Sequence, residues 1–441
     1  MTVDQVSEPS GRIFLRLVFR SLLLAGYLVL LTLAYDRYYS QMFAVDRYPN
    51  ELSSWKLVLG VIAVMALAPV GIRGTRPSDV LLQMVVGIIV APSLAIIAAA
   101  DLPFAFAAVT LGAFLLVVLV ARIAPQPQYA SGLVAADRLS YMLVVITFVY
   151  LFALIASGGW RYFNISLAAV YDLRQNVASA LPPVFAYLNS LFAKVAIPFA
   201  MVLAFEAKHP ATALMLAVAS FLIFAVTAHK SPLFYPIVIL SLYVAMRLRW
   251  KVELMHLGLI AIVGLSIADM EMTNAGDANE YSGWFATLFL RRALYVPSVL
   301  NFYYFDFFQA QFETMKYYWS ESRITLGLIP RPYDLRVVNL IGSEYFGRDE
   351  MSANAGWIGS GLANAGYFGV ALYSIGFGFV LGFLDARARS LGLALVGASF
   401  ALLVLTIAAS SDFLTVLLTH GLLLALLLLL ILKPRSASGT P

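Results

Sequence analysis

Cysteine is absent from this sequence of 441 residues, and charged residues make up only 12% of it. Without cysteine the chain forms no disulfide, no iron–sulfur cluster and no thiolate zinc site. Its four histidines are scattered, and no pair of them has the spacing of a zinc site. The sequence also has no phosphate-cradling glycine loop, no serine-triad motif and no dinucleotide fingerprint. We therefore predict neither a metal nor a cofactor.

The low charge content excludes an ordinary soluble domain, in which about 25% of residues are charged. Hydrophobic residues account for 61% of the chain, and they fall into runs of about 20 residues, the length that crosses a bilayer. The net charge of +5 comes from short basic clusters between these runs, a pattern typical of cytoplasmic loops and not of nucleic-acid binding. The sequence therefore predicts an all-α, polytopic membrane helix bundle with no nucleic-acid partner.

About twelve transmembrane helices are predicted from these runs. They cover residues 14–35, 55–72, 80–100, 104–121, 141–157, 184–205, 211–228, 232–246, 254–268, 357–384, 391–409 and 413–432. Every connection that this count places inside carries lysine or arginine, in agreement with the positive-inside rule. We expect both termini to be cytoplasmic, the first run to be an anchor, and a single membrane domain to include the whole chain. Residues 158–183 are predicted to be a short external segment, and residues 270–356 a long external loop between the ninth and tenth spans.

The long loop is the only long polar interval of the chain. Its arginines outnumber its lysines six to one, and a guanidinium offers a planar, bidentate fork to phosphate oxygens. This bias favours a phosphate or diphosphate ligand, although the ten acidic residues of the loop could pair with some of these arginines at the surface. Arg291 and Arg292 are the strongest candidates because they interrupt an apolar helical stretch. The other candidates are Arg323, Arg331 and Arg336.

Aromatic residues are concentrated in the first half of the long loop, around Tyr295. Flat rings stack on sugar faces, and tyrosine hydroxyls hydrogen-bond to sugar hydroxyls. Tyrosine and tryptophan also form belts at the membrane–water interface. The run therefore predicts either a sugar site, in which Tyr295 is a candidate for substrate binding, or an interfacial belt.

The short connection between the seventh and eighth spans contains a second cationic group, Lys230. It precedes Ser231 and Pro232, which suit the start of a helix, and the amide groups at a helix N-terminus attract anions. We expect Lys230 to bind either a lipid phosphate or the headgroups of the outer leaflet. His229 beside it is a candidate base. Lys194 lies near the middle of the sixth span, where an unpaired charge is costly and usually functional.

A rigid turn and a glycine-punctuated helix close the long loop. The turn is formed by Pro330, Arg331 and Pro332, and the next span begins with Asn354 and a run of glycines and closes at Asp385. In these features the chain resembles the Wzy-type O-antigen and oligosaccharide repeat-unit polymerases, membrane glycosyltransferases of the GT-C kind. The connection at residues 229–231, the arginine-led aromatic stretch and the order of the spans are similar to that family too, so the resemblance covers about residues 158–385.

The resemblance implies a metal-independent glycosyltransferase that polymerises polyprenyl-diphosphate-linked oligosaccharide units into a surface polysaccharide, at the bacterial cytoplasmic membrane. The partners it implies are a lipid-linked donor and acceptor, membrane lipids and, as a further candidate, a chain-length regulator protein. On this hypothesis Lys230, Arg291 and Arg292 hold the diphosphate, and the remaining loop arginines shape the loop or hold the second substrate. The chain departs from the family at Gly361, where a carboxylate is often found. The candidate bases are therefore Glu344, Glu280 and His229.

Two other interpretations remain open. One is a related ligase that transfers finished polysaccharide to lipid A, and it shares the architecture. The other is a transporter or flippase for lipid-linked sugars. Transport predicts ionisable groups along a path through the membrane, and Lys194 is the clear candidate for such a group.

Overall fold

The computed structural model describes residues 10–40, 50–127, 132–166, 173, 177, 179–274, 283–310 and 315–434. Within these ranges the chain forms helices and no β-strand. In chain order the helices are α1 (Ser10–Tyr39), α2 (Ser54–Ala66), α3 (Pro77–Ala99), α4 (Phe104–Ile123), α5 (Ala136–Ala156), α6 (Val184–Glu206), α7 (Pro210–Thr227), α8 (Ser231–Ala245), α9 (Lys251–Asn274), α10 (residues 286–310), α11 (Val337–Phe346), α12 (Trp357–Leu391), α13 (Leu393–Ala409), α14 (Phe413–Leu418) and α15 (Leu422–Ile431).

The predicted spans at residues 357–384 and 413–432 each contain two helical segments, and every predicted span contains one of the apolar helices. Eight of them are long and apolar enough to cross a membrane, and four shorter apolar helices correspond to the remaining runs. In lipid no water is present to bind free N–H and C=O groups, so a helix that satisfies them internally is the expected structure. The chain is a polytopic, all-α membrane protein, and this prediction is confirmed.

Packing divides the chain into two compact units. The first comprises Met1–Ala124, Trp250–Val380 and Ile407–Phe413, and the second comprises Pro125–Arg249, Leu381–Thr406 and Leu414–Pro441. The long loop therefore belongs to the first unit, and the connection that holds Lys230 belongs to the second.

In the first unit, the connections that follow α1 and α3 lie side by side. The amide of Glu51 donates to the carbonyl of Ala99 over 2.9 Å, and the ammonium of Lys56 is 2.7 Å from the carboxylate of Asp101. Both connections are predicted to be external. Two connections on the same side of the membrane can make such contacts, so the contacts agree with helices that cross the membrane in alternating directions.

The opposite ends of these helices are joined by a buried ion pair. Arg20 of α1 lies 2.6 Å from Glu253 of α9, and it also donates to the carbonyl of Ala68, which follows α2. Arg122 at the end of α4 is 2.6 Å from Asp79 of α3. The predicted internal ends of α1, α3, α4 and α9 are thus connected by charged pairs.

The helix α10 lies inside the segment predicted to be a loop, and it is largely buried. The hydroxyl of Tyr295 donates to the carbonyl of Leu31 in α1 over 2.7 Å, and Ser298 donates to the carbonyl of Ile89 in α3 over 3.4 Å. Phe302 and Phe305 pack on Phe106 of α4, with ring centroids 5.6 Å apart in each case. Much of the aromatic run therefore packs inside the first unit.

The helix α12 contains a reversal of the chain at Ala365 and Gly366. Their backbone angles are non-helical, and Gly366 has a φ of 60° and a ψ of −142°. Residues on the two sides of this point face each other: the indole nitrogen of Trp357 donates to the hydroxyl of Ser374 over 3.1 Å. In an unbroken helix these two residues would be about 25 Å apart at 1.5 Å per residue. Residues 357–364 and 367–391 therefore form a helical hairpin.

The second unit packs around α6. Tyr150 of α5 stacks on Phe192 of α6 with ring centroids 4.1 Å apart, and the hydroxyl of Ser190 lies 2.6 Å from the imidazole of His420. The buried guanidinium of Arg387 donates to the carbonyls of Leu429 and Leu432. These contacts satisfy the carbonyls at the end of α15, which have no partner within their own helix.

Candidate functional site

The segment that follows α10 is fixed to the turn of the helical hairpin. The amides of Tyr317 and Tyr318 donate to the carbonyls of Ala363 and Asn364, each over 2.9 Å. The hydroxyl of the buried Tyr317 then donates to the carbonyl of Leu335 over 2.8 Å. The segment is therefore hydrogen-bonded to the hairpin near its start, at Tyr317 and Tyr318, and Tyr317 also ties this start to Leu335 near its end.

A network of side chains adds to this attachment. The indole nitrogen of Trp319 donates to the hydroxyl of Tyr373 over 2.8 Å, and that hydroxyl donates to Asp412 over 2.5 Å. The amide of Asn364 reaches the same carboxylate oxygen over 3.3 Å, while its carbonyl accepts from the backbone of Trp319 over 3.0 Å. Trp319 is thus positioned by Asp412 through two side chains of the hairpin.

Two cavities meet at the proline-rich turn, because both are lined by Ile329, Pro330 and Arg331. The larger cavity has a volume of about 900 Å³, and the other residues that line it are Phe308, Gln309, Met315, Lys316, Tyr318, Pro332 and Tyr367. The smaller cavity has a volume of about 440 Å³, and the other residues that line it are Ser320, Glu321, Gly327 and Arg336. Arg331 is the charged residue common to both.

The larger cavity is lined by two cations and by aromatic rings. The ammonium of Lys316 donates to the carbonyl of Phe308 and lies 5.3 Å from the centre of its ring. Partial burial lowers the pKa of Lys316. The side-chain nitrogen of Gln309 has no hydrogen-bond partner among the described residues. A ligand with anionic groups would therefore find positive charge here.

The smaller cavity contains a carboxylate between two arginines. One oxygen of Glu321 accepts from the backbone of Val337 over 3.0 Å, and the other lies 4.0 Å from the guanidinium of Arg336. Burial raises the pKa of Glu321, although Arg336 and Arg331 oppose this shift. The hydroxyl of Ser320 has no partner among the described residues. This cavity therefore combines a half-buried acid with groups that bind anions and hydroxyls.

The structure brings together two of the predicted arginines and leaves a third apart. Arg331 and Arg336 line the same cavity. Arg323 is exposed on the short 3₁₀ helix Arg323–Thr325, and it is not among the residues lining either cavity.

Arg291 and Arg292 lie in the π-helical first part of α10, where Arg291 is half-buried and Arg292 is exposed. Neither is among the described residues that line the two cavities. Tyr295 is fully buried between Tyr35 and Tyr39, with ring centroids 5.3 and 4.6 Å away. Its hydroxyl is already bonded to α1, so its position is that of a core residue.

Three predicted residues belong to the second unit. Lys230 is the N-cap of α8 and half-exposed, and partial burial lowers its pKa. His229 lines a cavity of about 310 Å³. Lys194 lies in a π-helical turn of α6 and is partly buried. Lys230 is predicted to hold the diphosphate together with Arg291 and Arg292. In the structure Lys230 belongs to the second unit, and the two arginines belong to the first.

The remaining predicted site residues are Glu344, Glu280 and Asn354. Glu344 is exposed on α11 and is not among the described residues that line the two cavities. Glu280 lies outside the described residues. Asn354, the remaining substrate-binding candidate, is exposed in the segment before α12.

Sequence reasoning missed Lys316, Glu321 and Asp412. Glu321 is one of ten acids in the loop, and nothing in its sequence neighbourhood marks it as half-buried. The usable signal was its place between Trp319 and Arg323, two residue types that bind sugars and phosphates. Asp412 follows Ser410 and Ser411 between two apolar helices, and its position alone marks a break between spans.

Comparison of the chain with protein-family models, with curated proteins and with solved structures gives no match.

Proposed function

We propose that this protein is a glycosyltransferase of the bacterial cytoplasmic membrane, which joins polyprenyl-diphosphate-linked oligosaccharide units into a surface polysaccharide. The observation that carries the proposal is the position of Arg331, which lines both cavities of the long loop. A reaction between two lipid-linked substrates needs two neighbouring binding spaces, and it needs positive charge where they meet.

The charges suit this reaction. A sugar hydroxyl attacks the anomeric carbon of the donor, and the diphosphate leaves with the bonding electron pair. Such a leaving group is already a weak base, so cations that stabilise its charge contribute more than an acid that protonates it. Lys316 and Arg331 line the larger cavity and would bind the diphosphate, because guanidinium and ammonium groups form charge-assisted hydrogen bonds with phosphate oxygens.

The size and lining of the larger cavity also suit a sugar. A volume of about 900 Å³ lies within the range of about 300–1,000 Å³ that is usual for ligand sites. Tyr318 and Tyr367 are exposed in its wall, where their rings are accessible for stacking on sugar faces.

The test compares Arg331→Ala with Arg348→Ala in the full-length protein in detergent. Arg348 is an exposed arginine of the same loop and is not among the residues lining either cavity. The probes are farnesyl diphosphate and farnesyl monophosphate, and their affinities are measured by calorimetry. We expect Arg331→Ala to weaken diphosphate binding by about tenfold or more, the effect of losing roughly 1.5–3 kcal/mol from a charged hydrogen bond.

In cells that depend on this gene, the same substitution should abolish the long-chain polymer, whereas Arg348→Ala should leave it intact. If the protein is a polymerase, its loss should leave lipid A that carries only single repeat units. Wild-type polymer length and wild-type diphosphate affinity in Arg331→Ala would refute the proposal. Accumulation of finished but unattached chains would instead identify the ligase.

A further inference from the structure

Among the described residues that line the two cavities, Glu321 is the only carboxylate. It lines the smaller cavity together with Arg331, so it lies beside the space in which the diphosphate is proposed to bind. Its side chain is 19% exposed, which shields the carboxylate while leaving it accessible from the cavity.

We propose that Glu321 is the general base of the transfer, and that the smaller cavity holds the acceptor sugar. This inference rests on the proposed function. The larger cavity then holds the donor diphosphate, and Arg331 contacts both spaces.

The hydrogen bonds of Glu321 leave one oxygen for this role. Its Oε1 is occupied by the backbone N–H of Val337 at 3.0 Å. Its Oε2 is 4.0 Å from the nearest guanidinium nitrogen of Arg336, beyond hydrogen-bond distance. No other hydrogen bond reaches this oxygen from the described part of the chain. The anchored oxygen fixes the orientation of the carboxylate, and the second oxygen can accept a proton.

The groups around Glu321 balance its charge. Arg331 and Arg336 face it from the turn and from the start of α11, and Asp412 faces it from the segment between α13 and α14. The phenols of Tyr304 and Tyr317 are also within electrostatic range. Burial and Asp412 raise its pKa, whereas the two arginines lower it. A base works best when its pKa lies closer to the working pH than that of an ordinary glutamate.

The reaction step balances without a further reactant. The oxygen of the acceptor hydroxyl forms a bond to the anomeric carbon of the donor, and its proton moves to Oε2 of Glu321. The bond between the anomeric carbon and the diphosphate oxygen breaks, and its electron pair leaves with the diphosphate. Glu321 then releases the proton to water, which restores the carboxylate.

A purely structural role for Glu321 makes different predictions. Its bond to Val337 supplies an acceptor to the start of α11, where the N-cap Arg336 provides no side-chain cap. Glu321→Gln keeps an acceptor oxygen for this amide and removes the base. Val337→Pro removes the amide and keeps the base, and proline suits the first position of a helix. Arg336 before it already has φ −66° and ψ 151°, the backbone conformation that a following proline requires.

The experiment measures transfer and binding separately in the full-length protein in nanodiscs. Transfer is followed with the lipid-linked oligosaccharide extracted from cells that lack this gene, and binding with farnesyl diphosphate. We expect Glu321→Gln to bind farnesyl diphosphate like the wild type and to lose about 10²–10⁴-fold in transfer, the contribution of a general base. Val337→Pro should retain transfer, and Glu321→Asp should recover part of it.

The pH profile gives a second readout that a structural role would not change. For the wild type, kcat/KM should rise with pH as Glu321 loses its proton, and Glu321→Gln should lack this limb. Wild-type transfer by Glu321→Gln, or loss of transfer by Val337→Pro equal to that of Glu321→Gln, would show that Glu321 only caps α11. Failure of the wild type to bind farnesyl diphosphate would refute the proposed function itself, whatever the variants do.

Discussion

Gly361 and Val370 lie so close together that a Cβ on Gly361 would be 2.7 Å from the Cα of Val370. These residues come from the two limbs of the helical hairpin, and a Cβ on Gly369 would be closer still to the carbonyl oxygen of Gly361, at 2.1 Å. The contact is between backbones, so no side chain can rotate away to make room. A carboxylate side chain at Gly361 would separate the two limbs in this fold.

Gly361→Ala should therefore destabilise the protein by about 1–3 kcal/mol, the usual effect of overpacking. The measurement is thermal unfolding in detergent. Gly112→Ala in α4 is the matched control, because a Cβ at Gly112 meets nothing within 4 Å. Equal melting temperatures for the two variants would mean that the hairpin does not pack as described.

Tyr373→Phe should loosen the loop from the hairpin. The substitution removes the hydroxyl that accepts from Trp319 and donates to Asp412, so the indole N–H of Trp319 loses its acceptor and Asp412 loses one of its donors. Unsatisfied groups of this kind cost about 1–3 kcal/mol each when buried. We expect a lower melting temperature and a more accessible Trp319, detected as stronger quenching of tryptophan fluorescence by acrylamide. Tyr141→Phe, at an exposed tyrosine of α5, is the control. If quenching and melting match this control, the network does not hold the loop.

Lys316→Ala and Arg336→Ala should separate the functions of the two cavities. Lys316 lines the larger cavity and Arg336 the smaller one. If the diphosphate binds in the larger cavity, Lys316→Ala weakens the binding of farnesyl diphosphate, while Arg336→Ala leaves this affinity unchanged and lowers transfer. Calorimetry measures the first effect and polymer length the second. The reverse pattern would exchange the donor and acceptor sites.

Binding of farnesyl diphosphate should weaken as the pH rises. Burial lowers the pKa of Lys316 below its ordinary value of 10.5, so the ammonium loses its proton at a lower pH than a free lysine does. The cation is fully present below that pKa and is lost as the pH passes through it, and with it part of the attraction for phosphate. Lys316→Arg should bind equally well across this range, because a guanidinium keeps its charge. A wild-type affinity with the same pH profile as that of Lys316→Arg would contradict this assignment.

The segment predicted to be a loop also contains α10 and α11, whereas the apolar helices of the predicted spans could be predicted from sequence because hydrophobicity and length determine which segments cross a bilayer. The twelve predicted runs correspond to twelve apolar helices for this reason. The reversal at Gly366 could not be predicted in this way, since a hairpin and a long helix have the same hydropathy. Four glycines in residues 356–366 were the available signal, and they fit a glycine-rich start of a span equally well.

The site was harder to predict than the fold because its residues are distinguished by burial and not by type. Arg331 is one of several loop arginines that the sequence offers as candidates, and Arg291 is the stronger candidate there because it interrupts an apolar stretch. The sequence does not distinguish a buried tyrosine from an exposed one. Tyr295 is a candidate for a sugar site in the sequence, but in the structure it lies in the core. Glu321 is half-buried because it contacts Val337 of α11, which lies 16 residues further along the chain.

The exposed turn at the tip of the long loop offers a reporter for membrane orientation. Leu328 is 83% exposed there, and the natural chain contains no cysteine. A single thiol introduced as Leu328→Cys would therefore be the only target for a maleimide reagent. Labelling of intact spheroplasts by an impermeant maleimide would place this turn, and the cavities beside it, on the outer face of the membrane.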